Sequence, residues 1–325
     1  IMHFCEHCLN NETLFASMFI IVLDPSGDVM KRCAILTMDN LSDFECYDNL
    51  LDAPLAELGW QTQLVSWRSI SVNWLDFDAV IIRSPWDYQD DADSFLAILD
   101  QIEQSTTILH NSLATVRWNI DKTYLKSLAE QKVSIVPTLW QSNFVAKDLS
   151  SFFAYFNCQQ LVIKPRISAN ADNTFWLKQP TAENSMTQLE AVFADSDFMV
   201  QPFMTSVIEE GEFSLFYFNG EYSHAILKTP KTDDFRVQEE HGGRLQAITP
   251  ESALLVQAKN TLLATSREVG EIPLYARLDF VRVANPNGDD QFALMEAELI
   301  EPSLYFNMDD NAAKRFANAF VERMG

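Results

Sequence analysis

One short apolar run limits the folds that this chain can adopt. Residues 79–82 read Ala-Val-Ile-Ile and contain no polar position. A strand without polar alternation is buried on both faces, as in parallel sheets that helices cover on both sides. Further strands are predicted at 33–38, 61–66 and 107–109, and helical spacing separates them at 47–58 and 95–102. This alternation predicts an α/β domain with a parallel sheet over residues 30–115.

From residue 116 onward the pattern predicts α+β structure. Strands are expected at 161–163 and 174–178, at 213–218 and 222–227 around an Asn-Gly hairpin turn, and at 275–283 and 291–299. Asn285–Asp290 should join the last two strands, and a helix at 310–323 should close the chain. We therefore predict a central α+β lobe at 116–202 and a C-terminal α+β lobe at 203–325. Residues 1–29 differ in character and are expected to be a poorly packed extension.

The charge of the chain excludes several classes of partner. The net charge is −23, from 23 basic and 46 acidic side chains. Such a surface repels phosphate backbones and anionic lipid heads, so we expect neither nucleic acid nor a membrane as partner. No run of 18 apolar residues occurs, and the five cysteines show no disulfide spacing. A cytoplasmic enzyme is therefore expected, and its few cations should be concentrated at its site.

Three carboxylates near the end of the chain predict a metal site. Glu296 and Glu298 lie two residues apart in a predicted strand, so their side chains share one face about 7 Å apart. Asp279 lies in the preceding strand, where a hairpin would bring it beside them. Carboxylates from neighbouring strands suit one or two Mg²⁺ ions that also bind nucleotide phosphates. The alternative is a solvated acidic face, which is common in a chain this acidic.

Two lysines have positions that suit phosphate binding. Lys164 ends an apolar strand, and Pro165 after it cannot continue the ladder. A lysine at such a place can point into a cleft and hold phosphates as a point charge. Lys122 stands at the head of a predicted helix, where a cation opposes the macrodipole and needs another reason to be present. For each lysine, an ordinary surface role is the alternative.

A strand end and a glycine-containing loop complete the set. The strand that ends at Gln201 and Pro202 leaves backbone groups near Phe203 and Met204 that can read an adenine ring, and Glu209 or Glu210 can hold ribose hydroxyls. The alternative is an ordinary strand end with an acidic turn. Farther on, Gly242 and Gly243 follow Arg236 in a charged loop that predicts a mobile lid.

Taken in order, these segments resemble the ATP-grasp ligases over almost the whole chain from Met30 onward. The Asp-Phe-Arg to Gly-Gly loop at 234–243 looks like the large loop of glutathione synthetases and ribosomal-protein glutamate ligases. The stretch Glu296–Ser303 and the stretch Arg83–Tyr88 are closer to the subgroup that contains the D-cycloserine-forming ligase. The resemblance implies an ATP-grasp fold, in which two α+β lobes clasp ATP behind an N-terminal parallel-sheet domain.

The resemblance also implies roles for individual residues. Lys122 and Lys164 would hold ATP phosphates, and Asp279, Glu296 and Glu298 would ligate Mg²⁺, with Mn²⁺ as a substitute. The adenosine would lie against Gln201, Phe203, Met204 and either Glu209 or Glu210. Arg277 and Arg236 would face an acyl phosphate. The substrate would contact the N-terminal domain at Arg83, Trp86, Asp87 and Tyr88.

One departure concerns the loop after Lys164, which is usually rich in glycine and here contains none. The activity implied is ligation of a carboxylate to an amine through an acyl phosphate, on an amino acid or small peptide, with release of ADP and phosphate. The alternatives are a small-molecule kinase and a nucleotide-binding protein without ligase activity. The sequence leaves open whether the ligation closes a ring or joins two molecules, and whether the protein is a homodimer.

Overall fold

The computed structural model describes residues 29–232, 234–283 and 291–325. Its first sheet is parallel, with strand order β2-β1-β3-β4. The strands are β1 Lys31–Thr37, β2 Trp60–Ser66, β3 Ala79–Ser84 and β4 Ile108–His110. Helices α1 Asp52–Glu57 and α2 Ala92–Gln104 connect them. Every residue of β3 is buried, which confirms the prediction from its apolar sequence.

The second sheet is antiparallel and has strand order β5-β8-β6-β7. Its strands are β5 Leu139–Ser142, β6 Gln160–Pro165, β7 Phe175–Lys178 and β8 Asp197–Pro202. Helices α5 Leu149–Phe156 and α6 Met186–Phe193 pack on it. These elements enclose a core of their own, whose buried members all lie between residues 144 and 200. The sequence predicted β6, β7 and β8, but neither β5 nor α5.

The third sheet is also antiparallel and has strand order β11-β10-β9-β12-β13. Its strands are β9 Glu212–Phe218, β10 Glu221–Thr229, β11 Arg244–Ala247, β12 Tyr275–Val283 and β13 Gln291–Glu298. The predicted hairpin turn joins β9 to β10 at Asn219 and Gly220. The predicted connection at 285–290 lies outside the described residues, as do residues 1–28 and 233.

The remaining helices join the sheets. These helices are α3 Leu113–Asn119, α4 Tyr124–Glu130, α7 Ser206–Glu209, α8 Ser252–Val269 and α9 Ala312–Met324. Tyr124 and Leu125 of α4 pack into the core beneath the third sheet together with α8. Within the described part of the chain, no helix combines the length and apolarity needed to cross a bilayer.

Helix α9 connects the first sheet to the third. Phe320 meets Trp60 of β2 with ring centroids 4.7 Å apart, and Phe316 meets Phe218 of β9 at 5.2 Å. The cluster around these rings contains buried residues of β1, β3, β9, β10 and β12. The first and third sheets therefore share one core, which fixes the carboxyl ends of the first sheet beside β12 and β13.

Candidate active site

A cavity opens between the three sheets. Eleven of the sixteen side chains proposed from the sequence line it, and five do not. Those that line it are Trp86, Tyr88, Lys122, Lys164, Gln201, Phe203, Met204, Arg236, Arg277, Glu296 and Glu298. Those that do not are Arg83, Asp87, Glu209, Glu210 and Asp279. The cavity thus collects residues separated by more than 200 positions in the chain.

The strand pair β12–β13 brings the acidic residues together as the alternation predicted. Asp279 lies opposite Glu296, and Arg277 lies opposite Glu298. Arg277 Nη2 is 3.0 Å from Asp279 Oδ2 and also forms an ion pair with Glu298. Asp279 is nearly fully buried behind this pair. In the described residues, no three acidic or histidine side chains are grouped tightly enough to hold a metal ion.

The electrostatics of the two glutamates differ sharply. Burial raises the pKa of Glu296, but Lys122 at 2.8 Å and the nearby Lys164 outweigh it and hold that pKa at about 2. Burial raises the pKa of Glu298 to about 8; Arg277 opposes the rise, while Glu296 and Asp279 add to it. The two glutamates of β13 therefore differ because Glu296 lies beside two lysines, whereas Glu298 lies beside one arginine and further carboxylates.

The two predicted lysines are in different states. Lys122 is buried, donates a hydrogen bond to Ser168 O at 2.7 Å and pairs with Glu296. Burial lowers the pKa of Lys164, and the positive charge of Lys122 adds to the effect. Across residues 29–232, 234–283 and 291–325, no carboxylate forms an ion pair with Lys164. Its side chain is half-buried and lines the cavity, and the carboxylates of Glu296, Glu212 and Glu298 act on it only from beyond ion-pair distance.

A second buried ion pair was missed by the sequence analysis. Lys228 Nζ lies 2.5 Å from Glu212 Oε1 and 3.5 Å from Asp279 Oδ1. Ser214 Oγ donates to the same Asp279 oxygen at 2.5 Å. Lys228 and Glu212 both line the cavity. The signal available was a lysine on the inward side of the apolar strand β10, where a charged side chain needs a buried partner.

Neither acid proposed for ribose reaches the cavity. Glu210 pairs with Arg282 at 2.9 Å on the outer side of β12, and Glu209 is exposed at the end of α7. Among the three acids at 209, 210 and 212, the one that lines the cavity is Glu212, two residues beyond Glu210. The one-turn helix α7 causes this offset, since it turns Glu209 and Glu210 away before β9 begins.

Of the four residues proposed for the substrate at the end of β3 and just after it, two line the cavity and two do not. Arg83 is fully buried, pairs with Asp48 at 3.0 Å and donates to Pro302 O at 2.7 Å, so it does not contact the cavity. Asp87 pairs with Arg68 at 2.8 Å and borders a neighbouring acidic hollow. Trp86 and Tyr88, by contrast, form the wall of the main cavity.

The charged loop between β10 and β11 covers the cavity. Arg236 pairs with Asp234 at 2.9 Å, and Phe235 of the same loop lies 6.5 Å from the Phe203 ring of the second sheet. Gly243 is required at its position, since a Cβ there would lie 2.0 Å from Val237 O. The loop therefore has a fixed fold at its base and reaches from the third sheet to the second.

Two solved structures share this architecture. The D-alanine–D-alanine ligase from Bacillus anthracis complexed with ATP has a TM-score of 0.64 at 14% identity, over 90% of this chain and 97% of that one. The ATP-grasp ligase PsnB, complexed with minimal precursor, Mg and ADP, has a TM-score of 0.59 at 15% identity, over 93% and 99%. These matches define the class by its fold: the chain has the fold of the ATP-grasp ligases.

Within this class the chain is similar to the D-cycloserine synthetases. A family model described as the N-terminal domain of D-cycloserine synthetase DcsG matches residues 33–111. The cycloserine biosynthesis protein DcsG of Streptomyces lavendulae is 29% identical over 283 residues, which are 82% of this chain and 90% of that protein. The crystal structure of a D-cycloserine synthetase DcsG has a TM-score of 0.80 at 28% identity, over 90% of this chain and all of that one.

Proposed function

We propose that this ligase uses ATP and Mg²⁺ to convert the carboxylate of an amino acid or small peptide into an acyl phosphate, which an amine then attacks. The products would be an amide, ADP and phosphate. The observation that carries the proposal is the state of Lys164. Within the described residues, its ammonium group lines the cavity with no carboxylate at ion-pair distance, whereas Lys122 and Lys228 are both paired. A phosphate group of ATP is the anion that such a lysine suits.

Residues of β13 suit a magnesium ion bound between the phosphates and the sheet. Burial raises the pKa of Glu298 to about 8 and neighbouring carboxylates add to the rise, so a divalent cation beside them would favour the ionised form. We propose that Glu296 and Glu298 hold the ion, with Asp279 behind them. When bound, Mg²⁺ would neutralise charge on the transferring phosphoryl group. Lys122 would exchange its contact with Glu296 for one with a phosphate.

The reaction follows in two displacements. First, a carboxylate oxygen of the substrate attacks the γ-phosphorus while the bond to the ADP oxygen breaks. Second, the amine nitrogen attacks the acyl carbon, the C–O bond to phosphate breaks, and the nitrogen loses a proton. Arg277 lines the cavity beside Glu298 and would stabilise the oxyanion of the second step. Arg236 in the covering loop would contact the acyl phosphate and help exclude water.

The adenosine part of ATP would lie between the second and third sheets. Phe203 and Met204 line the cavity where β8 ends, and Gln201 is held by a 2.9 Å hydrogen bond to Thr138. We propose Glu212 for the ribose hydroxyls in place of Glu209 and Glu210, because it is the acid of this stretch that lines the cavity.

Hydroxylamine tests the proposed acyl phosphate directly. The purified enzyme would be incubated with ATP, Mg²⁺, hydroxylamine and each member of a panel of D- and L-amino acids and dipeptides. Hydroxylamine is a small, strong nucleophile, so it should trap the mixed anhydride as a hydroxamate. The expected result is a hydroxamate for at least one carboxylate, with ADP and phosphate in amounts equal to it. D-cycloserine, after which the relatives are named, would be tested in parallel as a ligand by thermal shift.

Each other product has a definite meaning. AMP and pyrophosphate would indicate adenylate chemistry and contradict the proposal. ADP together with a stable phosphorylated product, and no hydroxamate, would favour a small-molecule kinase. Failure to consume ATP with every carboxylate of the panel would favour a nucleotide-binding protein without ligase activity.

A further inference from the structure

The segment that follows β13 is held in place by side chains from other elements. Each of the six consecutive carbonyl groups from Leu299 to Leu304 accepts a side-chain hydrogen bond, at distances between 2.7 and 3.3 Å. The donors, in the order of the carbonyls, are Asn111, Tyr275, Trp86, Arg83, Arg277 and His224. They come from the first and third sheets and from the residues just after β3 and β4. Side chains outside the segment therefore hold its backbone in place.

This fixed backbone presents the Glu301 side chain to the cavity. Glu301 is 8% exposed and lines the cavity between the β12–β13 hairpin and the wall formed by Trp86 and Tyr88. The Tyr88 side chain lies beside its carboxylate and opposes the rise in its pKa. Glu301 thus lies three residues beyond Glu298, on the side of the proposed magnesium ligands that faces the N-terminal sheet.

Glu301 differs from the other buried acids of the cavity. Glu296, Glu298 and Glu212 each form an ion pair, with Lys122, Arg277 and Lys228 respectively. In the part of the chain that the structure describes, Glu301 forms none. Burial is the main reason that its pKa is raised to about 7; Lys122 and Tyr88 oppose the rise and Glu296 adds to it. A carboxylate kept in a binding cavity without a cation leaves that position to a ligand.

We propose that Glu301, together with Tyr88, forms the subsite that binds the amino group of the attacking amine. The inference rests on the proposed function, since it assigns the second substrate of that same reaction. An ammonium group supplies the positive charge and the hydrogen-bond donors that the Glu301 carboxylate lacks. Bound there, the nitrogen lies next to the side of the cavity where Arg277 faces the acyl group. The amine accordingly binds as a primary ammonium ion and gives one proton to the Glu301 carboxylate, and the neutral amine then attacks. Arg83 is a positioning residue that holds the subsite through Pro302.

Two nucleophiles of equal size and different charge test this subsite. At pH 7 methylamine is almost entirely an ammonium ion, since an alkylamine has a pKa near that of lysine, about 10.4. Hydroxylamine has the same number of heavy atoms and is mostly uncharged at that pH. Both would be offered to the wild type and to Glu301→Gln with ATP, Mg²⁺ and the carboxylate that gives the most hydroxamate. Methylamide and hydroxamate would be measured as a function of nucleophile concentration.

The proposal predicts a selective loss. In Glu301→Gln, kcat/KM for methylamine should fall about 10- to 100-fold, through a higher KM, because a charge-assisted hydrogen bond is lost. Hydroxamate formation and the KM for ATP should change less than about threefold. Tyr88→Phe keeps the carboxylate and should give a smaller loss of the same kind. Glu240→Gln is the matched control, because Glu240 is an exposed acid at the same cavity, and it should leave both products nearly unchanged.

Several outcomes would overturn the inference while the proposed function stands. One is a wild-type enzyme that forms hydroxamate but no methylamide. Another is equal loss of both products in Glu301→Gln with weaker binding of Mg-ADP by calorimetry, which would make Glu301 a part of the ATP site. Unchanged kinetics in that variant would also exclude the subsite. If the wild type forms no hydroxamate with any carboxylate, the proposed function itself fails.

Discussion

The ion pair between Lys122 and Glu296 joins two separate parts of the site. Lys122 precedes α4 and Glu296 lies in β13, yet their charged atoms are 2.8 Å apart inside the cavity wall. Lys122 also donates to Ser168 O, so it remains anchored when Glu296 is engaged elsewhere. This arrangement suits a lysine that exchanges a carboxylate for a phosphate during the reaction.

Glu296→Gln should abolish turnover and leave the protein folded. The change keeps the volume of the side chain and removes the charge that the proposed magnesium ion needs, so ADP release should fall at least about 100-fold. Lys122 loses its ionic partner, which should lower the free energy of unfolding by about 1–3 kcal/mol. Steady-state ADP release and thermal unfolding measure the two effects. Glu57→Gln, an exposed change of the same kind, is the control; near-normal turnover of Glu296→Gln at saturating Mg²⁺ would contradict the role.

The sequence alone could predict how some of these residues pair, because they lie in strands that are adjacent in the chain. The pairing of Asp279 with Glu296 follows from strand alternation and one hairpin, which is why it was predicted correctly. Lys228 and Glu212 were not identified, since their ion pair depends on the register of β9 against β10 and on the burial of both strands. Arg83 was assigned to the substrate because the sequence does not reveal that its whole side chain is buried against residue 302.

At the scale of elements, His224 links β10 to the segment that carries Glu301. Its ring stacks on Phe216 with centroids 4.2 Å apart, and its Nε2 donates to Leu304 O at 3.1 Å. Burial lowers the pKa of His224 to about 4, although the hydrogen bond to the carbonyl acts in the opposite direction. The neutral ring is therefore the form that holds the end of the segment in place.

The protein should lose stability as the pH falls from about 6.5 to 4, and His224 should cause part of the loss. In that range the unfolded chain binds a proton at this histidine and the folded chain does not, so protonation favours unfolding. The shift corresponds to roughly 3 kcal/mol. His224→Gln retains a donor but does not titrate, so urea unfolding at pH 7 and pH 4 should show a smaller loss for this variant than for the wild type. Equal losses in the two proteins would exclude the contribution.

The elements that the sequence did not predict lack a clear local pattern. Strand β5 has only four residues, none of them fully buried, and its pairing with β8 is what makes it a strand. Helix α5 reads Leu-Ser-Ser-Phe-Phe-Ala-Tyr-Phe, in which aromatic side chains and serines favour a helix weakly. It ends at Asn157 in the left-handed conformation. Both elements depend on packing around the core of the second sheet.

At the scale of the whole molecule, the buried residues form separate hydrophobic cores, and one of them spans two sheets. The first and third sheets share a core through α9, whereas the second sheet encloses a core of its own and adds Met199 of β8 to the core beneath the third sheet. The cavity lies between the second sheet and the shared core of the first and third sheets, under the loop that carries Arg236. A movement of the second sheet relative to the other two would leave the core around α9 intact but would disturb the packing of Met199 and Trp140 beneath the third sheet.

Two fully buried phenylalanines, one in each core, allow the two cores to be tested separately. Phe320→Ala removes a ring from the shared core and should lower stability by about 3–5 kcal/mol. Hydrogen exchange should then increase in the first and third sheets together. Phe193→Ala is the matched variant in the second sheet; it should cost a similar amount and increase exchange mainly between residues 139 and 202. If either variant increased hydrogen exchange evenly over the chain, the division into two separate cores would be wrong.

The tethered carbonyls of residues 299–304 have a consequence for enzyme engineering. Because side chains elsewhere hold the carbonyls of residues 301 to 303, replacement of the residues at 301 and 303 should leave the course of this backbone unchanged. A library of substitutions at these two positions would therefore alter the chemical character of the cavity wall while most of its members still fold. Selection from such a library with anionic or apolar amines would be a direct route to ligases with new products.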